Sequence, residues 1–132
     1  MGDQIVRREV VAAVRVVAAA EHLDAASWPA DATVLRTAPD EVLLIDALDA
    51  SPPEPDAIVF PDTSWVRFVT SAAVGAAIMA ASAAWPPPAS GLGQGLIAGV
   101  PTKLVVGAEE WWLIVAAVVA DEFDERLREV TA

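Results

Sequence analysis

The chain contains no cysteine. That excludes disulfides, thiolate nucleophiles and cysteine-held zinc or iron–sulfur sites. It has one histidine, His22, beside Glu21 and Asp24. Three ligands from separate places are not apparent around it, so no metal site is expected. A solvated helix end, where His suits the dipole, is the simpler reading. Positive charge is also scarce: Lys103 and seven arginines face nineteen acids, for a formal net charge of -11. Nucleic-acid affinity rests on neutralising phosphates with Lys and Arg, so this balance argues against a nucleic-acid partner and against an anionic membrane surface. Aromatic residues make up only 6% of the chain although 55% is hydrophobic, so alanine and valine supply most of the apolar content. A cysteine-free acidic chain with no secretory signal is expected to be cytoplasmic. Its N-terminal apolar stretch is interrupted by Arg15 and followed by Glu21, His22 and Asp24, which a signal peptide would not be.

Chemistry-bearing patterns are equally sparse. Gly91-Leu92-Gly93-Gln94-Gly95 faintly suggests a phosphate cradle, but it follows prolines rather than a strand and no Lys-Ser/Thr comes after it. Asp40/Glu41 and Glu109/Glu110 are acid pairs, both placed where hairpin turns are expected. No serine has a histidine base at motif spacing. No residue is therefore assigned as catalytic, cofactor-binding or metal-binding. Two apolar stretches remain, Val69–Trp85 and Trp111–Ala120. The first is dominated by Ala, Ser and Gly and falls just short of a spanning length, and the second is much shorter, so both are expected to be buried or interface elements.

At 132 residues the chain is expected to form a single domain with one core. A short strand is expected near Ile5–Val11, then a helix to about Ala26, which Trp28-Pro29 stops. Thr33–Thr37 and Val42–Asp46 read as a hairpin around the proline turn Ala38–Glu41. Ser51-Pro52-Pro53-Glu54-Pro55 is a stiff polar linker within residues 50–56. Trp65–Thr70 alternates as a strand, and Ser71 caps a helix to about Ala84 with Val74, Ile78 and Ala81 along one stripe. Trp85-Pro86-Pro87-Pro88 ends it, and Ala89–Thr102 reads as a glycine-rich loop. Lys103–Val106 and Trp111–Ala116 form a second hairpin whose strands are apolar on both faces, with Trp111 and Trp112 pointing to opposite sides. Such a strand needs cover on both sides, either from its own helices alone or from another chain as well. Asp121–Glu129 is a last helix presenting Phe123, Leu127 and Val130 inward.

The two halves, about 5–48 and 57–130, look alike. Ala26-Ser27-Trp28-Pro29 precedes Leu35–Ile45, and Ala83-Ala84-Trp85-Pro86 precedes Leu104–Ile114. A strand–helix–strand–strand unit repeated once implies an α+β fold, with antiparallel sheet and helices packed on one face. The candidate partner interface is the glycine segment with Gly91, Gly93, Gln94, Gly95 and Gly99, together with Trp111 and Trp112.

Thr33–Ile45, with its APDEVLLI core, resembles the L-x-x-x-PDE-x-LL hairpin of the gamma subunit of heterotetrameric sarcosine oxidase. The order of the later pieces is also similar: a D-x-S-x-V-x-F strand at Asp62–Phe68, a helix, a glycine-bearing loop and hairpin, and a D-x-F-x-x-x-L helix at Asp121–Leu127. The likeness covers roughly residues 28 to 130. The chain departs from the family at Val42, where Trp is usual, and at Ser71–Ala84, which lacks a Gly-Pro-x-Ala start. That family is in turn similar to the folate-binding domains of the glycine-cleavage aminomethyltransferase. The resemblance implies a non-catalytic subunit of a flavin-dependent amine-oxidising complex, whose large subunits carry FAD, FMN, NAD and tetrahydrofolate sites. Two other readings stand beside it: a free-standing folate- or small-ligand-binding domain, and a homo-oligomeric structural domain that self-associates through its apolar face.

Overall fold

The computed structural model describes the backbone from Ile5 to Ala132 and the side chains from Arg7 onward. It is α+β, with two antiparallel sheets and a few helices. The chain divides into two compact units, Val11–Trp65 on one hand and residues 5–10 with Val66–Ala132 on the other.

The first unit holds strands β2 (Ala13–Val17), β3 (Thr33–Ala38), β4 (Glu41–Ile45) and β5 (Ile58–Pro61), ordered β3-β4-β2-β5, and a short helix α1 (Ala20–Ala25). Residues 13–17 were expected in a helix; they form a strand instead. The β-branched run Val14-Arg15-Val16-Val17 lies between two partners, with Arg15 opposite Leu43 on one side and Phe60 on the other. Strand preference is realised there because Val14 and Val16 pack on the core side of a pleated surface. In this unit alanine's helix preference is expressed in the six residues of α1, where Leu23 is the buried anchor. Val14, Val16, Val42 and Leu44 form the core with Leu23 and Ala18. The opposite sheet face buries Leu35, Leu43 and Ile45 completely or nearly so. Strand β5 was not expected from the sequence; it follows the proline-rich segment directly, ends at Pro61, and exposes Ile58 and Phe60. Proline is tolerated at such an edge position because no ladder N–H is needed.

In the second unit β1 (Ile5–Val11), β6 (Trp65–Ser71), β7 (Gly91–Ile97), β8 (Val100–Val106) and β9 (Glu110–Ala116) form a sheet in the order β1-β6-β9-β8-β7. Helices α2 (Ala72–Ser82) and α3 (Ala120–Thr131) share a core with one face of it. Ser71 caps α2, its Oγ accepting from the Val74 N–H at 3.1 Å. The buried residues of α2 are Gly75, Ile78 and Met79, while Ala81 is exposed; the inner stripe is thus rotated from the expected one. With alanine on every side, position and neighbours rather than pattern decide which face goes in. On α3, Phe123 and Leu127 are fully buried, and Phe123 meets Phe68 edge-to-face with ring centroids 5.3 Å apart.

The expected glycine-rich loop is also corrected. Gly91–Ile97 is a strand paired with β8 along its whole length, from Gly91–Val106 to Ile97–Val100. The tight turn between them uses Ala98 (φ 51°) and Gly99 (φ 78°), the left-handed pair that matches a hairpin's twist. The two sheets share a strand order. In β2-α1-β3-β4 and in β6-α2-β8-β9 the first strand neighbours the last, which neighbours the middle one. Strand β1, expected to open the first half, pairs in the second sheet; the residues of β5, expected in the second half, pair in the first; and β7 is an addition at the edge.

Candidate interaction surface

From Phe68 to Thr102 there is no Asp, Glu, Lys, Arg or His, in a chain where 20% of residues are Asp, Glu, Lys or Arg. That stretch forms the end of β6, all of α2, the Trp-Pro segment and β7. The outer side of α2 is alanine: Ala73, Ala76, Ala77, Ala80 and Ala81 are all exposed. A surface helix ordinarily carries polar residues there. Where α2 ends, the chain turns through Ala83 and Ala84 into Trp85, Pro86 and Pro87. A shallow groove of about 340 Å³ runs between these residues and Met79 and Ala80 of the helix.

Trp85 is held from below by β7. Its Nε1–H donates to the Leu96 carbonyl at 2.9 Å. Gly91, Gly93 and Gly95 alternate onto the face of the buried Ile97. A Cβ on Gly95 would lie 2.5 Å from Trp85 Nε1, and one on Gly93 would lie 2.9 Å from the ring's Cζ3. Two of the glycines are therefore explained by the indole that lies over them. Gly91 adopts φ 78° with open space around it, and the Gly99 Cα faces the Arg126 guanidinium, which donates to the Ala98 carbonyl at 2.7 Å. Gln94 is exposed on the other face of β7, where Lys103 Nζ donates to its Oε1 at 2.8 Å.

The two tryptophans of β9 take opposite faces. Trp111 is only 8% exposed and belongs to the core under α2, where Gly75 comes so close that an added Cβ would be 2.5 Å from the ring's Cε3. Trp112 is half-buried on the far side, with the Arg67 guanidinium carbon 4.3 Å from its ring centroid. Arg67 in turn pairs with Glu9 at 2.6 Å, and Trp112 Nε1–H donates to Glu110 at 2.8 Å. Of the residues expected at an interface, Trp111 is thus a core residue, while Trp112 and β7 lie at or near the surface.

A second charged cluster lies in the first unit. Arg15 bridges Glu41 at 2.6 Å and Asp62 at 2.8 Å, and Thr37 donates to Glu41 at 2.5 Å. Burial works against the Asp62 carboxylate, but hydrogen bonds from Ser64, Arg15 and Trp65 outweigh it and hold the carboxyl below its usual range. Burial likewise opposes the charge on Arg15, and its two carboxylate partners more than offset that, raising its affinity for the proton. The arrangement stabilises the ionised form of Asp62 beside the Arg15 guanidinium. His22 is exposed on α1, and among the described residues no cluster of three or more His, Asp or Glu side chains could hold a metal ion. Among the described residues no helix is long and apolar enough to cross a membrane.

No protein-family model matches the chain, and no curated protein matches it in sequence. In three dimensions it is similar to a chain of the solved heterotetrameric sarcosine oxidase from Corynebacterium sp. U-96 in complex with pyrrole 2-carboxylate. The superposition has a TM-score of 0.69 and covers 98% of this chain and 85% of that one, at 16% identity. The two chains share a fold. At that identity the likeness speaks for architecture.

The groove beside α2 was not foreseen from sequence, where Trp85 read only as a helix stop. The signal that could have found it is the unbroken absence of charge between Arg67 and Lys103.

Proposed function

We propose that this chain is a non-catalytic subunit of a flavin-dependent amine-oxidising assembly of the sarcosine oxidase type, the counterpart of its gamma subunit. One observation carries the reading: the fold agrees with a sarcosine oxidase chain over 98% of this chain and 85% of that one. The two arginines whose hold on the proton is raised, Arg15 and Arg8, are engaged by Asp62 and Asp121 respectively.

In this reading the large subunits carry FAD, FMN, NAD and the tetrahydrofolate domain, and the present chain supports them in the cytoplasm. The contact surface includes the outer edge of β7 with Gly91, Gln94 and the Gly99 turn, and the face bearing Trp112. Ala83 bridges Ile97 at one end of that edge, and the rest of an edge strand is a natural place for another chain to cover.

Co-expression of a tagged copy with the large flavoprotein subunits tests the proposal. The expected result is a stoichiometric complex with flavin absorbance, and an isolated chain that is colourless and oxidises no amine. A chain that purifies away from those subunits as a stable monomer and binds a folate stoichiometrically in calorimetry would replace this reading with a free-standing ligand-binding domain.

A further inference from the structure

We propose that β1 is a releasable strap, latched along the edge of the second unit's sheet by Arg8, and that rising ionic strength opens it and turns β6 into the edge strand. The device is independent of the assembly reading.

The strap has a boundary in the fold. Residues 5–10 belong with Val66–Ala132, whereas the chain from Val11 to Trp65 forms the other unit. The downstream side of that boundary is fixed. The Asp46 N–H donates to the Ala12 carbonyl and the Asp62 N–H to the Ala13 carbonyl, each at 2.8 Å. Val11 is buried there. The upstream side has one strand neighbour, β6, because β1 ends the sheet order. Among its described side chains, Arg7, Arg8 and Val10 are exposed and Glu9 is half-buried. Val10 leaves 74% of its surface in water, so none of these four contributes a buried apolar side chain.

Charge supplies the latch. Arg8 Nη2 donates to Asp121 Oδ1 at 2.6 Å and Nη1 donates to Asp124 Oδ2 at 3.2 Å, both near the start of α3. The Arg8 guanidinium carbon also lies 5.4 Å from the ring centroid of Phe68, which is fully buried. Arg7 and Glu9 alternate to the other side of the strand. Glu9 pairs with Arg67 at 2.6 Å, and Arg7 lies 3.9 Å from Glu110.

The Arg8 latch is weak and open to salt. The Asp121 side chain is 94% exposed, and exposed ion pairs contribute little net stability. The Debye length falls from about 10 Å at 0.1 M salt to about 3 Å at 1 M, so the pair is screened over that range. At the other anchor, Arg67 lies 4.3 Å from the Trp112 ring centroid and keeps that neighbour when Glu9 leaves. Opening is therefore local, while β8 and β9 stay closed through core residues such as Leu104, Leu113 and Val115. Once β1 leaves, the β6 backbone groups that faced it form a sheet edge, and Phe68 loses the guanidinium over its ring.

Hydrogen exchange of the full chain, followed amide by amide by NMR in low and high sodium chloride (about 0.05 M and about 1 M), tests the strap. Relative to β8 and β9, residues 5–10 and the alternate β6 amides that face them should exchange on the order of tenfold faster in high salt. Arg8→Gln should exchange in low salt as wild type does in high salt, and should lose the salt response. Arg128→Gln removes the same charge from another contact of Asp124 and should leave the strap closed. Opening of β1 only in step with β8 and β9, exchange that ignores salt, or an Arg8→Gln strap as slow as wild type each overturns the proposal. Wild-type β1 amides without protection in low salt also overturn it, because the strap is then never latched. If Arg8→Gln does not fold, the salt series on the wild-type chain decides alone.

Discussion

Gly95 lies directly beneath the indole of Trp85, at a separation that leaves no room for a methyl group: a Cβ there would sit 2.5 Å from Nε1. The glycine in a strand and the tryptophan after a helix are thus one feature. Gly95→Ala should lift the ring, strain or break the 2.9 Å bond to the Leu96 carbonyl, and cost about 1–3 kcal/mol, the usual range for overpacking. Urea unfolding followed by tryptophan fluorescence reads both the stability and the altered indole environment. An unchanged midpoint would show that Trp85 can move aside freely.

Gly75→Ala sets two effects against each other. Alanine in a helix interior gains up to about 1 kcal/mol over glycine. The new Cβ, however, would meet Trp111 at 2.5 Å and 2.8 Å, and Trp111 belongs to the core. Overpacking at about 1–3 kcal/mol should win, and the melting temperature should fall. A rise would mean that α2 can shift outward without loss.

The Arg15–Glu41–Asp62 cluster predicts acid sensitivity with a definite sign. The Asp62 carboxyl titrates below its unfolded value in the folded chain. Its contribution to stability is therefore complete above the unfolded carboxyl value, about 3.9, and is lost as the pH falls through the lower folded value. Asp62→Asn should flatten the decline in unfolding free energy below about pH 4, measured by denaturant titration across pH. Arg15→Met should cost on the order of 2 kcal/mol at neutral pH, between the exposed and buried ion-pair cases, because two half-buried carboxylates lose their partner.

The segment Ser51–Pro55 should tolerate insertion. Its residues are exposed or half-buried and it belongs to no strand or helix. Adding a few Gly/Ser residues should change stability by less than about 1 kcal/mol, since doubling a loop costs only ~0.6 kcal/mol. A loss of several kcal/mol in the same denaturant assay would show that the segment holds β5 in place.

Local chemistry made several elements legible. Pro39 in its turn marked the β3–β4 hairpin, Ser71 marked the start of α2, and the spacing of Phe123 and Leu127 marked α3. Each of these signals acts within one turn or one strand, where nearest neighbours dominate the energy. The alternation on β9 likewise placed Trp111 and Trp112 on opposite faces, because side-chain direction along a strand has a fixed period.

What failed was wherever composition was degenerate. Alanine and valine at 13–17 suit either helix or strand, and only pairing with both β4 and β5 settles the matter. The inner face of α2 could not be chosen from a helix that is alanine on all sides. The glycines of β7 disfavour a strand locally, yet the hydrogen-bond ladder to β8 and the Trp85 ring, six or more residues away in sequence, require one. The sequence alone therefore determined the Pro39 turn, the Ser71 cap and the α+β class, since these depend on residues close together in the chain. Only the tertiary structure decided that glycine marks a surface for an indole, that Trp111 is core, and that the charge-free stretch forms a groove, since each depends on which distant backbone a side chain meets.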